Sequence, residues 1–301
     1  MSEENEADTS CCASCGITEI DDITLVECDD CDLVRYCSDV CREEHKSEHE
    51  EACKKRAAEL RDELLFKQPQ SSHHGDCPIC SLPLSLDIKK SSMFMCCSKV
   101  ICKGCEYANW MRELEARLQH TCPFCREVLP DTDEESVEQL MKRAEANDPI
   151  ALCKVGSKHC EKGDYQSGFE YYTKATRLGV AEAHYKLSAM YLHGLGVEQD
   201  EGKEVYHMEE AAVGGHPRAR YNLGCHENDN GNYERAVKHW IIAAGQGHDG
   251  SIKVLIDAYK DGLISKKDLA SALRAHKAAL DATKSPQREA AELYYNWINS
   301  S

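Results

Sequence analysis

Residues 11–53 read CCASCGITEIDDITLVECDDCDLVRYCSDVCREEHKSEHEEAC, and this stretch decides the fold of the N-terminal part of the chain. It contains four close pairs of metal-ligand residues: Cys12-x2-Cys15, Cys28-x2-Cys31, Cys37-x3-Cys41 and His49-x3-Cys53. Each pair can hold one edge of a tetrahedral metal site, because the short loop turns both donors toward the same ion. Eight ligands spaced in this way predict two such sites.

The distribution of cysteines favours metal over disulfides. Of 19 cysteines, sixteen lie between Cys11 and Cys125. The chain starts with the acidic stretch MSEENEADTS rather than a basic and then apolar signal, and it has no run of eighteen apolar residues. Thiols in a reducing compartment stay free unless a metal binds them, so we expect zinc ligands, a cytoplasmic or nuclear location and no membrane association.

The last pair lies on a predicted helix, EEHKSEHEEACKKRAAEL, which covers residues 43–60. An i,i+4 pair on one helix face is about 5 to 6 Å apart, which suits chelation. His45 is a competing imidazole one turn earlier, but His49 is preferred because of its distance from Cys41 and its partner Cys53. Cys11 is the expected spare thiol.

With Tyr36 just before Cys37, this pattern resembles the MYND zinc finger from Cys12 to Cys53. The resemblance implies two interleaved zinc ions and binding of short, often proline-rich, peptides. Nothing around it looks like the catalytic domain of the lysine methyltransferases that carry some MYND fingers. The implied ligand sets are Cys12, Cys15, Cys37 and Cys41 on one ion, and Cys28, Cys31, His49 and Cys53 on the other.

A second set of eight thiols follows: Cys77 and Cys80, Cys96 and Cys97, Cys102 and Cys105, and Cys122 and Cys125. Their order resembles an all-cysteine RING finger. The resemblance implies cross-bracing, with Cys77, Cys80, Cys102 and Cys105 on one ion and Cys96, Cys97, Cys122 and Cys125 on the other. The chain would then hold four zinc ions. Because neighbouring side chains diverge, adjacent Cys96 and Cys97 need a kinked backbone, and His73, His74 or His120 remains an alternative ligand.

RING fingers act as ubiquitin ligases by docking a ubiquitin-conjugating enzyme and holding the ubiquitin thioester in a reactive pose. At the positions of that docking groove the sequence has Ile79, Trp110 and Pro123, and Arg126 directly follows the last ligand. The resemblance implies that these four residues contact the conjugating enzyme and ubiquitin. Taken singly, Ile79 and Trp110 fit a small core, Pro123 is common in any zinc knuckle and Arg126 fits a solvated charge. Together, the four residues favour a working surface.

A helical repeat follows the cysteine-rich part. Asn147, Gly179, Gly215 and Gly247 are spaced by 32, 36 and 32 residues, a period of helix-pair solenoids. Small or large side chains recur at equivalent positions of successive units, and we call each set of equivalent positions a column. Small residues beside large ones let the helices pack closely. The columns are Ala151, Ala183, Ala219 and Ser251; Val155, Leu187, Leu223 and Leu255; Tyr172, Met208 and Trp240; Ala175, Ala211 and Ala243. The unit AHYKLSAMYLHGLGV resembles the SEL-type (Sel-one-like) repeat, a relative of the tetratricopeptide repeat, which implies a surface for other proteins.

The remaining histidines and cysteines carry no metal-ligand spacing. We treat the histidines as surface or packing residues, namely His159, His193, His216, His226, His239 and His248. Cys153, Cys160 and Cys225 are expected to be small buried hydrophobes. The chain has 36 basic and 53 acidic residues, a formal charge of −17, which argues against binding to nucleic acid.

The sequence therefore predicts a multidomain fold: two small cross-braced α+β zinc fingers followed by an all-α helix-pair solenoid. The predicted segments are a disordered acidic N-terminus (1–10), MYND-type finger (11–54), helical linker (55–75), RING-type finger (76–130), leading helix (131–146), SEL-type repeats (147–285) and C-terminal capping helix (286–301). The leading hypothesis is a RING-type ubiquitin ligase that selects substrates through its other modules. The alternative is a non-enzymatic zinc-dependent adaptor.

Overall fold

The computed structural model describes residues 11–19 and 23–298. The predicted disordered segment 1–10 lies outside the described residues. The chain divides into two compact units, Met1–Lys67 and Gln68–Ser301. We call residues 11–54 the first cysteine module and residues 76–130 the second cysteine module.

The first unit is built around one short hairpin and one long helix. Strands β1 (Val26–Glu27) and β2 (Arg35–Tyr36) pair antiparallel, and helix α1 spans Asp39–Leu65. Ser38 caps α1, because its side chain accepts a hydrogen bond from the Cys41 amide at 3.3 Å. The small core consists of Cys12, Leu25, Tyr36 and Cys41. Since half of this core is cysteine, apolar burial alone is too small to hold the module.

The second cysteine module opens the second unit. A short 3-10 helix (Ile88–Lys90) precedes the antiparallel hairpin of β3 (Ser91–Phe94) and β4 (Lys99–Cys102), and helix α2 spans Lys103–Ala116. Its core again consists largely of cysteines, with few apolar residues. The α+β fold of both modules agrees with the predicted fold class.

Ten further helices follow in the described part of the chain up to residue 298, and the strongest pairings are α4 with α5, α6 with α7, and α8 with α9. Their bounds are α3 (Asp133–Glu145), α4 (Pro149–Glu161), α5 (Tyr165–Thr176), α6 (Ala181–His193), α7 (Glu201–Val213), α8 (Pro217–Asp229), α9 (Tyr233–Gly245), α10 (Asp249–Lys260), α11 (Lys266–Ala282) and α12 (Pro286–Ile298). This is the predicted helix-pair solenoid.

The predicted columns form its core. Ala151, Ala183, Ala219 and Ser251 are completely buried, and the large residues four positions later are at most 2% exposed. The four repeat anchors all adopt the left-handed conformation, with φ of 57° at Asn147, 79° at Gly179, 80° at Gly215 and 90° at Gly247. Glycine and asparagine are favoured there because most other side chains clash with the backbone at positive φ.

Two predicted segments differ from the structure. The linker 55–75 is helical only as far as Leu65, because Pro69, two serines and Gly75 do not support a helix. Helix α12 was expected to cap the repeats, but it packs against α2 of the second cysteine module. A sequence pattern identifies an amphipathic helix without indicating which surface its apolar face covers.

Candidate metal centres

The structure brings the sixteen predicted ligands into four groups of four, and in each group the donor atoms lie within 4.8 Å of one another. We number them in chain order. Group 1 is Cys12, Cys15, Cys37 and Cys41; group 2 is Cys28, Cys31, His49 and Cys53; group 3 is Cys77, Cys80, Cys102 and Cys105; group 4 is Cys96, Cys97, Cys122 and Cys125. Both modules therefore have the interleaved arrangement that their resemblances imply.

The distances between donor atoms in the first module fit zinc. Sulfur ligands about 2.3 Å from a tetrahedral ion are about 3.8 Å apart. In group 1, the Sγ atom of Cys37 is 3.6 Å from that of Cys15 and 3.6 Å from that of Cys41. In group 2, the Sγ atoms of Cys28 and Cys53 are 3.7 Å apart. These soft, tightly spaced donors are suited to zinc.

The structure separates the two candidate imidazoles. His49 is buried, and its Nε2 lies 3.2 Å from the Sγ of Cys31. His45 instead has its Nδ1 3.1 Å from the hydroxyl of Tyr36, which is 2% exposed. His45 therefore supports the core residue next to Cys37, while His49 joins group 2.

Two arginines of α1 hold the loop around group 2, and no pattern in the sequence predicts these contacts. The Arg56 guanidinium binds both carboxylate oxygens of Asp32, at 2.7 and 2.8 Å, and keeps the pKa of Asp32 below its usual value. Arg42 binds Asp29 at 2.7 Å. Since the two aspartates flank Cys31, these ion pairs orient the loop that carries it.

Groups 3 and 4 have similar spacing. The Sγ atoms of Cys80 and Cys102 are 3.8 Å apart in group 3. In group 4, the Sγ of Cys97 is 3.8 Å from that of Cys122, and the Sγ of Cys96 is 3.4 Å from that of Cys125. The chemistry and spacing of these donors fit zinc as well as those of the first module.

The turn between β3 and β4 lets two adjacent cysteines share one group. Cys96 and Cys97 lie in this turn, and Ser98 after them adopts a φ of 55°. The expected kink is thus a tight hairpin turn. The alternative imidazoles lie elsewhere: His73 and His74 are near α8, and the Nδ1 of His120 is 3.3 Å from Glu113.

Three of the Cys-x2-Cys pairs share one backbone turn. The first cysteine's amide donates to the carbonyl five residues later, and its own carbonyl accepts from the amide four residues later. That fourth residue has positive φ in each case, 75° at Gly16, 55° at Ser81 and 65° at Arg126. The turn points both sulfurs to one side, where an ion can bind them.

The thiols of group 3 need a cation to ionise together. Burial raises the pKa of Cys105 to about 12. Cys77 accepts a hydrogen bond from the thiol of Cys102, which lowers the pKa of Cys77 to about 4. Ionisation of one thiol thus raises the pKa of its neighbours, and a divalent cation at the centre lessens this repulsion because it attracts all four thiolates.

Glu113 connects α2 to the last cysteine pair. Its carboxylate is 1% exposed and accepts hydrogen bonds from Asn109 at 2.9 Å, the Thr121 hydroxyl at 2.5 Å and the Thr121 amide at 3.2 Å. Burial alone would raise its pKa, but these hydrogen bonds hold the pKa of Glu113 below the usual value. A glutamate that becomes buried gives no distinctive signal in the sequence, so this role of Glu113 could not be predicted.

The four residues proposed to contact a conjugating enzyme have different environments. Ile79 is 43% exposed and Pro123 is buried. Trp110 is half-buried, with its ring 5.1 Å from that of Tyr294 on α12. Arg126 is exposed and donates to the Asn109 side chain at 2.6 Å. The chain's own C-terminal helix therefore covers part of the surface around Trp110.

A histidine–carboxylate cluster links the segment before the second module to the repeats. The Nε2 atoms of His216 and His73 lie 2.9 and 3.4 Å from the Oε2 of Glu182. The Nδ1 of His216 accepts the amide hydrogen of Ala219 at 3.1 Å, which assigns the ring proton to Nε2. Lys186 binds the other Glu182 oxygen at 3.2 Å. A metal ion at this site would need His216 Nε2 without its proton. We therefore interpret His73, Glu182 and His216 as a hydrogen-bonded cluster rather than a metal site, and we call this cluster the latch.

Comparison with protein-family models supports two of the three resemblances, those to the MYND finger and to the SEL-type repeat. Residues 12–53 match the model of the MYND finger. This segment is a MYND finger. Residues 149–180, 181–216 and 217–248 match the Sel1 repeat, which confirms the predicted repeat over three units. No RING-type model is among these matches, so the RING resemblance of the second cysteine module remains a proposal.

Two curated relatives share part of the chain. These are "DAP3-binding cell death enhancer 1" of Mus musculus and of Rattus norvegicus, each 24% identical over 203 residues. The match covers 54% of this chain and 40% of each relative. The chain thus spans less than half the length of these relatives.

Solved structures of repeat proteins are also similar. A Sel1 repeat protein from Oxalobacter formigenes is 26% identical, with a TM-score of 0.44 over 59% of this chain and 72% of that chain. A protective antigen with an SLR fold from uropathogenic Escherichia coli strains is 27% identical, with a TM-score of 0.41 over 49% of this chain and 33% of that chain.

Within residues 11–19 and 23–298, every helix is too short or too polar to span a bilayer.

Proposed function

We propose that the chain is a zinc-dependent adaptor that joins other proteins. The observation that carries this proposal is the combination of a MYND finger with three Sel1 repeats in one chain. Each ligand group offers four protein donors, which leaves no coordination position open for a reacting water. We therefore assign zinc a structural role, with four ions per chain, in an adaptor of the cytoplasm or nucleus.

The repeats are the proposed site for a folded protein partner. The name of the two curated relatives states that they bind DAP3, and we propose that this chain takes the same partner. Solenoids bind proteins along extended surfaces. Two large tyrosines of the array are exposed, Tyr206 at 53% and Tyr233 at 50%, and tyrosine is common in binding hot spots.

Binding of purified DAP3 to the full chain, measured by calorimetry, tests this partner. We expect Tyr206→Ala or Tyr233→Ala to weaken binding by about tenfold, which is the effect of about 1.4 kcal/mol. Tyr259→Ala is the matched control, because Tyr259 is 40% exposed but lies outside the three matched repeats. If wild-type protein shows no binding at micromolar concentration, DAP3 is not the partner.

The first module is the proposed site for a short proline-rich peptide, as its family implies. A peptide array probed with the full chain tests this. Cys28→Ser should abolish the signal by removing a ligand of group 2, whereas Cys11→Ser should retain it, because Cys11 belongs to no ligand group. Equal binding by both variants would argue against a zinc-dependent peptide site.

A RING-type ubiquitin ligase is the second candidate function. The interleaved thiol groups of the second module and the exposure of Ile79 and Arg126 support it. The packing of Trp110 against Tyr294 counts against it, since a conjugating enzyme would need that surface. The adaptor is therefore preferred.

Ubiquitination in vitro with a broad panel of conjugating enzymes separates the two functions. For an adaptor, wild-type protein forms no chains with any enzyme. For a ligase, wild-type protein forms chains, and Ile79→Ala or Arg126→Gly abolishes them while zinc content stays constant. Ser81→Gly is the matched control, because Ser81 occupies the same turn position in another cysteine pair.

A further inference from the structure

Helix α12 lies in close contact with α2 of the second cysteine module. A side chain at Gly104 would bring its Cβ within 2.8 Å of the Arg288 Cγ and within 3.0 Å of the Arg288 Cα. The two helix backbones can approach this closely because position 104 has no side chain. Among the described elements, α2 is the one with which α12 makes extensive contact.

Aromatic side chains fill the contact. The Tyr294 ring lies 5.0 Å from that of Tyr107 and 5.1 Å from that of Trp110. The ammonium group of Lys103 lies 4.8 Å above the Tyr295 ring, and Lys90 pairs with Glu292 at 3.1 Å. The partners in each pair are separated by more than 180 residues, so these are tertiary contacts between distant parts of the chain.

Arg288 ties α12 to ligand group 3. Its guanidinium donates to the carbonyls of Pro83 at 2.6 Å and Leu82 at 3.0 Å, and to the Sγ of Cys80 at 3.3 Å. Four thiolates around a divalent ion carry a net charge of about −2. A guanidinium cation donating to one of those sulfurs is favourable, because charged hydrogen bonds are stronger than neutral ones.

We propose that α12 is a detachable cap on the second cysteine module, docked through Arg288 on the metal-bound thiolates and covering the surface around Trp110. Docking and metal retention at group 3 then support each other, because each is favoured by the other's charge. A thirteen-residue helix is marginal on its own, so the undocked segment loses its helical hydrogen bonds. A protein that binds around Trp110 must first displace this helix. The proposal is independent of whether that protein is a conjugating enzyme.

Hydrogen exchange of the full zinc-loaded chain, followed by mass spectrometry, tests the cap. We expect Arg288→Glu to speed exchange in residues 286–298 by roughly tenfold or more, and to speed loss of zinc to a colorimetric chelator. Lys284→Glu makes the same charge change nearby and should alter neither rate, since Lys284 pairs with Asp281 of α11. Wild-type rates of both processes in Arg288→Glu would overturn the proposal.

Two further variants test the helix contact while leaving Arg288 and all four ligands of group 3 in place. Tyr294→Ala removes the aromatic contact, and Gly104→Ala forces the helices apart. Both should speed exchange in residues 286–298 while the solenoid helices α4–α9 keep their protection. If α12 stays protected in both variants, it is a fixed part of the fold and the proposal fails. These variants decide the question if Arg288→Glu does not fold.

Discussion

At the scale of single residues, the turn shared by three of the Cys-x2-Cys pairs requires a residue with positive φ four positions after the first cysteine. Gly16 meets the requirement for positive φ without strain, whereas Ser81 and Arg126 adopt it despite their side chains. We expect Ser81→Gly and Arg126→Gly to stabilise zinc-bound protein by about 1 kcal/mol, and Gly16→Ala to destabilise it by about as much. Zinc affinity measured by competition with a chelator checks this.

A contrary result would be informative for Arg126. Its guanidinium donates to Asn109, so loss of zinc affinity in Arg126→Gly would mean that this contact outweighs the backbone relief. Ser81→Gly is the control for the turn itself. It should gain affinity whatever Arg126 does.

The latch formed by His73, Glu182 and His216 predicts sensitivity to acid. Burial lowers the pKa of His73 and of His216, and lowers that of neighbouring His74 to about 4. Burial alone would raise the pKa of Glu182, but hydrogen bonds from His216 and His73 hold it well below the usual value. The folded state therefore favours neutral imidazoles and an ionised carboxylate.

Acid should therefore destabilise the folded state. A histidine whose folded pKa lies below the unfolded value of about 6.5 contributes full stability above that pH, and this contribution is lost as the pH falls. Chemical denaturation should thus show lower stability at pH 5 than at pH 7.5. Glu182→Ala should lower stability at pH 7.5 by about 1 to 3 kcal/mol, because it leaves buried imidazole N–H groups without their acceptor. If stability is the same at both pH values, the latch does not hold neutral histidines.

At the scale of elements, close helix contacts depend on glycine facing a large ring. A Cβ on Gly224 of α8 would lie 2.3 Å from the Trp240 ring nitrogen of α9. We expect Gly224→Ala to destabilise the chain by about 1 to 3 kcal/mol through overpacking. Gly202→Ala in α7 is the matched control. Its nearest neighbour is 3.4 Å away, so alanine should stabilise by about 0.5 to 1 kcal/mol through helix propensity.

Thermal or urea unfolding of both variants measures this difference. Equal effects of the two substitutions would mean that α8 and α9 can move apart without loss. Combining Gly224→Ala with Trp240→Phe should recover part of the stability, because the smaller ring makes room for the methyl group.

The sequence was most informative about elements with a repeated pattern. The columns at Ala151 and Val155 could be predicted because each residue recurs at the same place in successive helix pairs. The cysteine pairs could be predicted because short loops fix the geometry of their donors. The role of Glu113 could not, because its partners at Asn109 and Thr121 depend on how α2 meets the last cysteine pair.

At the scale of the whole molecule, the number of bound metal ions is the main prediction. Elemental analysis of purified, reduced protein should find four zinc ions per chain. Cys96→Ser should lower this number, whereas Cys153→Ser should not, because Cys153 packs in the core of the repeats. Zinc content of two in the wild type, unchanged by Cys96→Ser, would restrict metal to the first module and remove the basis for a RING-type ligase.

The packing of distant segments was beyond sequence reasoning. His73 donates its backbone amide to the Gly215 carbonyl at 2.9 Å, and Arg288 reaches the loop of Cys80. Neither contact leaves a periodic signal, since each involves one residue on either side. Histidines without ligand spacing are therefore predicted to be surface or packing residues. In the structure, His216 instead donates to the carboxylate of Glu182 in the latch.

The second cysteine module is attached to the repeats at several points. Met93 and Met95 of its hairpin pack against the core that includes Leu140 and Tyr172, and α12 returns from the far end of the array to α2. A solenoid whose two ends are free of each other can extend elastically, because its ends move independently. Here α12 joins the far end of the array to α2, so a force that pulls the repeats apart would act first on the contact between α12 and α2. The strength of that contact would then limit how far the array can extend.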